Sequence, residues 1–171
     1  MKGQNVTSAN TSINKNKLPA VYKRIKLESG DRLLDCGCGK YIEHIHSYCN
    51  KYGAIYYPYD PYNMPTESNN LTLKTLLDTS ATIGVMSNVI NVIDSDESIE
   101  DAINNAISLI DGKLYITVYE GDKSGVGKYT KNDCFQRNMK LKDYIPMLEN
   151  MGFIITIKDR MIVIDGKYNK K

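Results

Sequence analysis

The sequence of 171 residues contains no tryptophan, and it has no apolar run of the roughly 18 residues that a membrane-spanning helix requires. A helical membrane span is therefore excluded. Neither sign of charge is in strong excess: 22 Lys and Arg stand against 20 Asp and Glu, for a net charge of +2. That balance gives no general electrostatic argument for nucleic-acid binding, although it leaves room for a local basic patch. Residues 1–16 lack the apolar core of a signal peptide. They are rich in Ser, Thr, Asn and Lys, and read as a flexible segment. Without a secretion signal the four cysteines, at 36, 38, 49 and 134, are expected to be reduced thiols in a cytoplasm. The abundance of Asn, Lys, Ile and Tyr beside that missing tryptophan is the bias of an AT-rich coding genome.

What is present is ordinary for a globular chain: 42% hydrophobic and 25% charged residues. The length predicts one domain, over residues 17–167. The pattern predicts a short helix at 18–25, a buried strand at 32–35, a Gly-rich loop at 36–40 and a helix at 41–52. A second strand at 54–59 follows, ending at Asp60-Pro61, then a loop at 63–70 and one or two helical turns at 71–77. A strand at 82–86 comes next. Asp94 and Glu97 are spaced as a capping box for a helix whose apolar stripe is Ile99, Ile103, Ala106, Ile107 and Ile110. Asp111-Gly112 reads as a turn before a strand at 113–119. A helix at 141–151 and two strands at 153–157 and 161–164 close the chain as a hairpin. This order predicts an α/β fold: a Rossmann-like, mostly parallel sheet with a C-terminal antiparallel hairpin and helices on both faces. Its ligands should sit at the carboxyl ends of the strands.

The strongest motif is Asp35-Cys36-Gly37-Cys38-Gly39, where a strand delivers an acid and two glycines before a helix begins. Glycine permits a sharp turn and close approach by a ligand. A phosphate-binding P-loop needs a Gly-Lys-Ser/Thr ending that this loop lacks. A dinucleotide fingerprint needs a third glycine, and that position is Ile42. Asp60 stands 25 residues after Asp35, at the end of the next strand, where such folds place an acid for ribose hydroxyls. Asp60-Pro61-Tyr62-Asn63 also has the composition of a plain turn.

The pattern D-x-G-x-G after a strand resembles motif I of the class I methyltransferases that use S-adenosylmethionine (SAM). The segments at 85–93 and 118–127, and Thr11 to Pro19, are similar to small methyltransferase-like proteins of phages, mobile elements and DNA-modification clusters. The resemblance spans roughly residues 11–164. It implies SAM as cofactor, held by Asp35, Cys36, Gly37, Cys38, Gly39, Asp60, Pro61, Tyr62, Ser87 and Asn88. It implies a place in a bacterial or phage-infected cell. There are two departures. No regular third strand with a trailing acid precedes Thr82, so the family's usual adenine-amino contact is not visible. Nor does an Asn/Asp-Pro-Pro-Tyr/Phe motif follow the strand at 82–86, so base-directed DNA methylation is not indicated.

The resemblance implies that the strand ends carrying Ser87 and Asn88, and Tyr119 and Glu120, face the acceptor and the methyl group, which makes Asn88, Tyr119 and Glu120 the catalytic candidates. Capping and turn chemistry account for Ser87 and Asn88 equally well. Cys36, Cys38, His44, His46 and Cys49 look like a zinc cluster, but histidines two apart on a helix point to different sides, and no metal site is expected. Residues 121–139, with Lys123, Lys128, Lys131 and Arg137, are expected either to form a lid over a nucleotide or nucleic-acid acceptor or to be a solvated loop. Two functions stay open: an enzyme that methylates a small molecule, nucleotide, nucleic acid or protein, and a non-catalytic SAM-binding module with a regulatory or counter-defence role.

Overall fold

A computed structural model describes Lys15 and residues 17–130 and 134–166. The segment expected to be flexible, 1–16, lies outside the described residues apart from Lys15, as do Lys131 and Asp133. Six strands form one sheet, in the spatial order Ile55–Tyr59, Arg32–Cys36, Ala81–Ser87, Ile110–Thr117, Met161–Asp165 and Ile155–Lys158. β1 (Arg32–Cys36), β2 (Ile55–Tyr59), β3 (Ala81–Ser87) and β4 (Ile110–Thr117) are parallel. β7 (Ile155–Lys158) and β8 (Met161–Asp165) form the antiparallel end. Asp159 and Arg160, both at positive φ (49° and 60°), make the tight turn between them. A separate two-stranded ribbon pairs β5 (Lys128–Tyr129) with β6 (Phe135–Gln136).

Helices cover both faces. α1 (Glu43–Lys51) connects β1 to β2, and packs with the 3₁₀ turn Ala20–Lys23 against Leu33 and Val85. α2 (Thr66–Thr79) and α3 (Asp96–Ser108) lie on the opposite face, over Leu34, Met86 and Leu114. α4 (Ile145–Asn150) joins them there. The change of face follows from handedness. From β1 the chain moves one way along the sheet to β2, then back across β1 to β3 and on to β4. Right-handed crossovers in opposite directions place their helices on opposite faces. The reversal leaves a crevice between the carboxyl ends of β1 and β3.

Between β2 and β3 the described chain is a loop and α2, with no further strand, which leaves β2 as an edge. The Asn69 side chain of α2 accepts from the Asp60 N–H (3.0 Å) and donates to the Asp60 carbonyl (2.9 Å). Thr72 donates to the Pro58 carbonyl at 2.9 Å. Two helix side chains thus satisfy backbone groups that a neighbouring strand would pair, and Pro58 has no N–H to offer. This accounts for the longer helix. Residues 66–70, expected to be loop, form the first turns of a 14-residue helix whose Asn69 and Thr72 face the sheet edge.

Two other boundaries differ. The cap of α3 is Ser95, whose hydroxyl accepts from the Ser98 N–H at 3.1 Å, and not the Asp94 and Glu97 box. Ser95→Ala is expected to cost about 1 kcal/mol in chemical denaturation, the usual value of an N-cap. An unchanged midpoint would show that water replaces the cap at no cost. Gly112 lies inside β4, where a Cβ would stand only 1.8 Å from the Thr82 carbonyl oxygen. Its glycine serves a close approach of strands and not a turn.

Candidate cofactor site

The Gly loop folds back on the end of β2. Gly37 and Cys38 donate their N–H groups to the Tyr59 carbonyl (2.7 and 3.3 Å). Gly39 donates to the Asp60 carboxylate at 2.9 Å. Gly37 and Gly39 have φ of 77° and 71°, a conformation natural to glycine. A Cβ on Gly37 would stand 2.5 Å from the Val89 side chain, so the first glycine makes room for a neighbouring loop.

Asp60 is buried and fully engaged. One oxygen accepts from Tyr62 N (2.9 Å) and Asn63 N (3.0 Å); the other accepts from Gly39 N and Asn63 Nδ2 (3.0 Å). Four donors fill the acceptor sites of a carboxylate. The turn anticipated at Asp60-Pro61-Tyr62-Asn63 is therefore present, and its carboxylate also staples the Gly loop.

Asp35 faces away from this loop, toward α1, and is 1% exposed. Tyr56 donates its hydroxyl to it at 2.7 Å. The buried Tyr22 hydroxyl is beside it but forms no hydrogen bond of ordinary geometry. Burial pushes the Asp35 carboxyl up to about 6, helped by the charge of Asp60 and opposed by the two tyrosine hydroxyls. Burial also raises the thiols of Cys36, Cys38 and Cys49, the last to about 12, so none of the three is a ready nucleophile. His44 reaches the Lys15 carbonyl (2.9 Å), whereas the His46 ring lies near Tyr56. The two histidines face different partners, and among the described residues no three His, Cys, Asp or Glu side chains converge as for a metal.

A cavity of about 590 Å³ opens at the crevice and runs between α2 and α3. Of the residues singled out in the sequence, Cys36, Gly37, Asp60, Pro61, Tyr62 and Asn88 line it; Asp35, Cys38, Gly39, Ser87, Tyr119 and Glu120 do not. Asn88 adopts φ 60°, a conformation asparagine tolerates, and its N–H donates to the Thr117 carbonyl. Sequence reasoning missed the helical walls: Leu73 and Leu77 on α2, and Ser98, Asp101, Ala102 and Asn105 on α3. The signal was a polar and small face at 98, 101–102 and 105, beside the buried stripe Ile99, Ile103 and Ala106.

The acceptor-side candidates are otherwise occupied. Tyr119 is 62% exposed. Glu120 accepts from the Leu141 N–H at 2.9 Å and pairs with Lys123 at 3.4 Å. The backbone hydrogen bond, with Lys123 beside it, holds Glu120 below the usual carboxylate range, which suits a fixed anion better than a base. In the segment proposed as a lid, Lys128 pairs with Asp122. Arg137 is buried, donating to the Ile93 carbonyl (2.6 Å) and to Asp96 (2.7 Å). Gln136 bridges Asn91 and the Tyr119 carbonyl. Residues 134–138 are thus an anchor, and residues 122–130 are exposed.

No protein-family model matches the chain, and no curated protein matches it in sequence. Solved structures share its fold. One is the 1,6-didemethyltoxoflavin-N1-methyltransferase of Burkholderia thailandensis, solved with 1,6-didemethyltoxoflavin and S-adenosylhomocysteine bound; it aligns at TM-score 0.58 and 14% identity, over 80% of this chain and 70% of that one. Another is a SAM-dependent methyltransferase of Methanosarcina mazei, at TM-score 0.55 and 11% identity, over 87% and 96%. A third is a chain from the complex of the Haloferax volcanii Trm112 methyltransferase activator with a methyltransferase, at TM-score 0.56 and 10% identity, over 86% and 87%.

Proposed function

We propose that the cavity binds SAM and that the protein transfers its methyl group to an acceptor. The carrying observation is the charge of the wall: two carboxylates, Asp60 and Asp101, and no Lys, Arg or His among the described lining residues. SAM brings a sulfonium and an ammonium against a single carboxylate, so this wall suits it. A dinucleotide or ATP brings phosphates, which need cations or free N–H groups. Here the N–H groups of Gly37, Cys38 and Gly39 are already spent, that of Gly39 on a carboxylate. The shared fold with SAM-dependent methyltransferases supports the same cofactor.

The bound cofactor supplies an activated methyl group. The chain's own part is alignment and exclusion of water. The Gly37 backbone and Cys36 form the base of the cavity, with Pro61 and Tyr62 at the β2 end and Asn88 at the β3 end. Asp35 and Asp60 set a negative potential around the loop, Asp35 from beneath it and without touching the cavity. With Glu120 held by its partners, the acceptor must arrive already nucleophilic or lose its proton to solvent. The acceptor is a small molecule, a nucleotide, a nucleic acid or a protein, met in the cytoplasm of a bacterial or phage-infected cell. The same engagement of Glu120, with Tyr119 off the cavity, favours the second reading: a SAM-binding module without catalysis.

Calorimetric titration of the full chain with SAM, S-adenosylhomocysteine, NAD and ATP tests the cofactor. Saturable binding of the first two, with none of the phosphate-bearing pair, is expected. Binding of NAD or ATP alone would overturn it.

A further inference from the structure

The two edges of the sheet are finished differently. At β2, Pro58 offers no N–H, and Asn69 and Thr72 hold the Asp60 and Pro58 groups that face outward. At β7 no element among the described residues does this. Asp159 and Arg160, both left-handed, close the hairpin with Lys158 and Met161 as its first hydrogen-bonded pair. Such pairs alternate along an antiparallel ladder. Thr156 therefore spends its N–H and carbonyl on Val163, and those of Ile155 and Ile157 point away from the sheet. The strand has no proline and no bulge, and its exposed positions are apolar: Ile154 is 64% exposed and Ile157 49%. An edge of this kind accepts another strand.

We infer that the strand it accepts is β7 of a second copy, antiparallel to the first across a two-fold axis at Thr156. The inference is independent of the SAM reading. In this register Ile155 of each copy exchanges both hydrogen bonds with Ile157 of the other, so every outward group finds a partner. A register centred on Ile157 would set Ile155 against the turn. One centred on Ile155 would set Ile157 against Phe153, whose N–H is already given to Leu148. The side chains fit as well. Ile155 and Ile157 share the face covered by α4, so the pairing gathers the isoleucines of both copies beside the partly buried Met147 and Met151. On the other face Thr156 meets Thr156 and Lys158 lies opposite Ile154, so no like charges are opposed. The basic turn end, Lys158 and Arg160, approaches the end of α4 in the other copy, where Glu149 is exposed; none of the three makes an ion pair among the described residues. β7 runs parallel to β4 and the axis reverses it, so the carboxyl ends of the two parallel sets point opposite ways and both cavities stay open.

One short strand with its flanking side chains buries less than the roughly 1,200 Å² of a permanent interface, so a dissociation constant of about 1–100 µM is expected. Sedimentation velocity of the full chain from about 1 to 500 µM should show the mass doubling across that range. Thr156→Lys sets like charges together on the axis and is expected to stay monomeric throughout, with the parent's denaturation midpoint, because Thr156 is exposed. The four native thiols are buried. Thr156→Cys should therefore give a covalent dimer on mild oxidation, since facing residues of a non-hydrogen-bonded pair stand about 4.5 Å apart at Cα, within disulfide reach. Ile154→Cys, which faces Lys158 instead, should not. A parent that is monomeric at the top of the range overturns the inference, as does a dimer that Thr156→Lys leaves intact or that Thr156→Cys fails to trap. If Thr156→Lys does not fold, the cysteine pair alone decides.

Discussion

Asp35→Asn is expected to stabilise the protein at neutral pH by up to about 3 kcal/mol, with no gain near pH 4. The carboxyl is 1% exposed, and burial raises it from 3.8 to about 6. Moving a titration by one pH unit corresponds to about 1.4 kcal/mol. The sign follows from proton counting. Between pH 4 and 6 the folded state still holds the proton and the unfolded chain has released it. Stability therefore falls as pH rises through that window and stays low above it. Asparagine removes the ionisation. Its carbonyl can accept from Tyr56, and its amide can donate to the Tyr22 hydroxyl, which has no partner now. Urea denaturation of both proteins from pH 4 to 8 gives the difference directly, and subtraction cancels the other carboxylates. A difference that does not grow with pH, or a variant less stable than the parent at pH 7.5, would refute the assignment.

Such a carboxyl costs stability where it stands, and that cost is why it was legible from the sequence. An acid at the end of an otherwise apolar strand, followed by two glycines, breaks the pattern of a buried strand. The parallel core was legible for the converse reason: Leu33-Leu34, Val85-Met86 and the Ile99, Ile103, Ile107 stripe obey their periods without exception. Residues 66–70 were not legible, because Asn69 and Thr72 serve the edge of β2, which no local pattern records. Gly112 misled for the same reason. Its neighbour across β3 and β4 is Thr82, thirty residues away, so the glycine signals a tertiary approach and not a turn. The α3 wall of the cavity was hidden by its own amphipathicity, since a polar helix face reads as solvated until α2 is placed opposite it. The Asp60 turn was legible as composition. Its grip on the Gly loop was not, because that grip joins residues 39 and 60 across two strands.

That grip gives the largest expected effect. Asp60→Ala removes the acceptor for Gly39 N, Tyr62 N, Asn63 N and Asn63 Nδ2 at once. Hydrogen bonds to a charged group are worth roughly 1.5–3 kcal/mol each. Water entering from the cavity can recover those at the turn, where Tyr62 is half exposed, and recovers the buried Gly39 bond less well. A net loss of about 3–4 kcal/mol is expected, well beyond an ordinary surface substitution. The Gly loop keeps its hydrogen bonds to the Tyr59 carbonyl but loses the one to the Asp60 carboxylate, so affinity for SAM should fall with stability. This separates two roles for the same side chain. A carboxylate kept solely for ribose hydroxyls would, on truncation, weaken SAM binding by about 1–3 kcal/mol and leave the denaturation midpoint in place. A carboxylate that holds the loop lowers both. Asp60→Asn sharpens the comparison: it keeps one acceptor oxygen but turns an NH₂ group toward donors, so it should rescue less than half of the lost stability. Guanidinium denaturation beside calorimetry on the parent and both variants reads the two quantities independently. An unchanged midpoint in Asp60→Ala would remove the staple and return Asp60 to a ligand-only role.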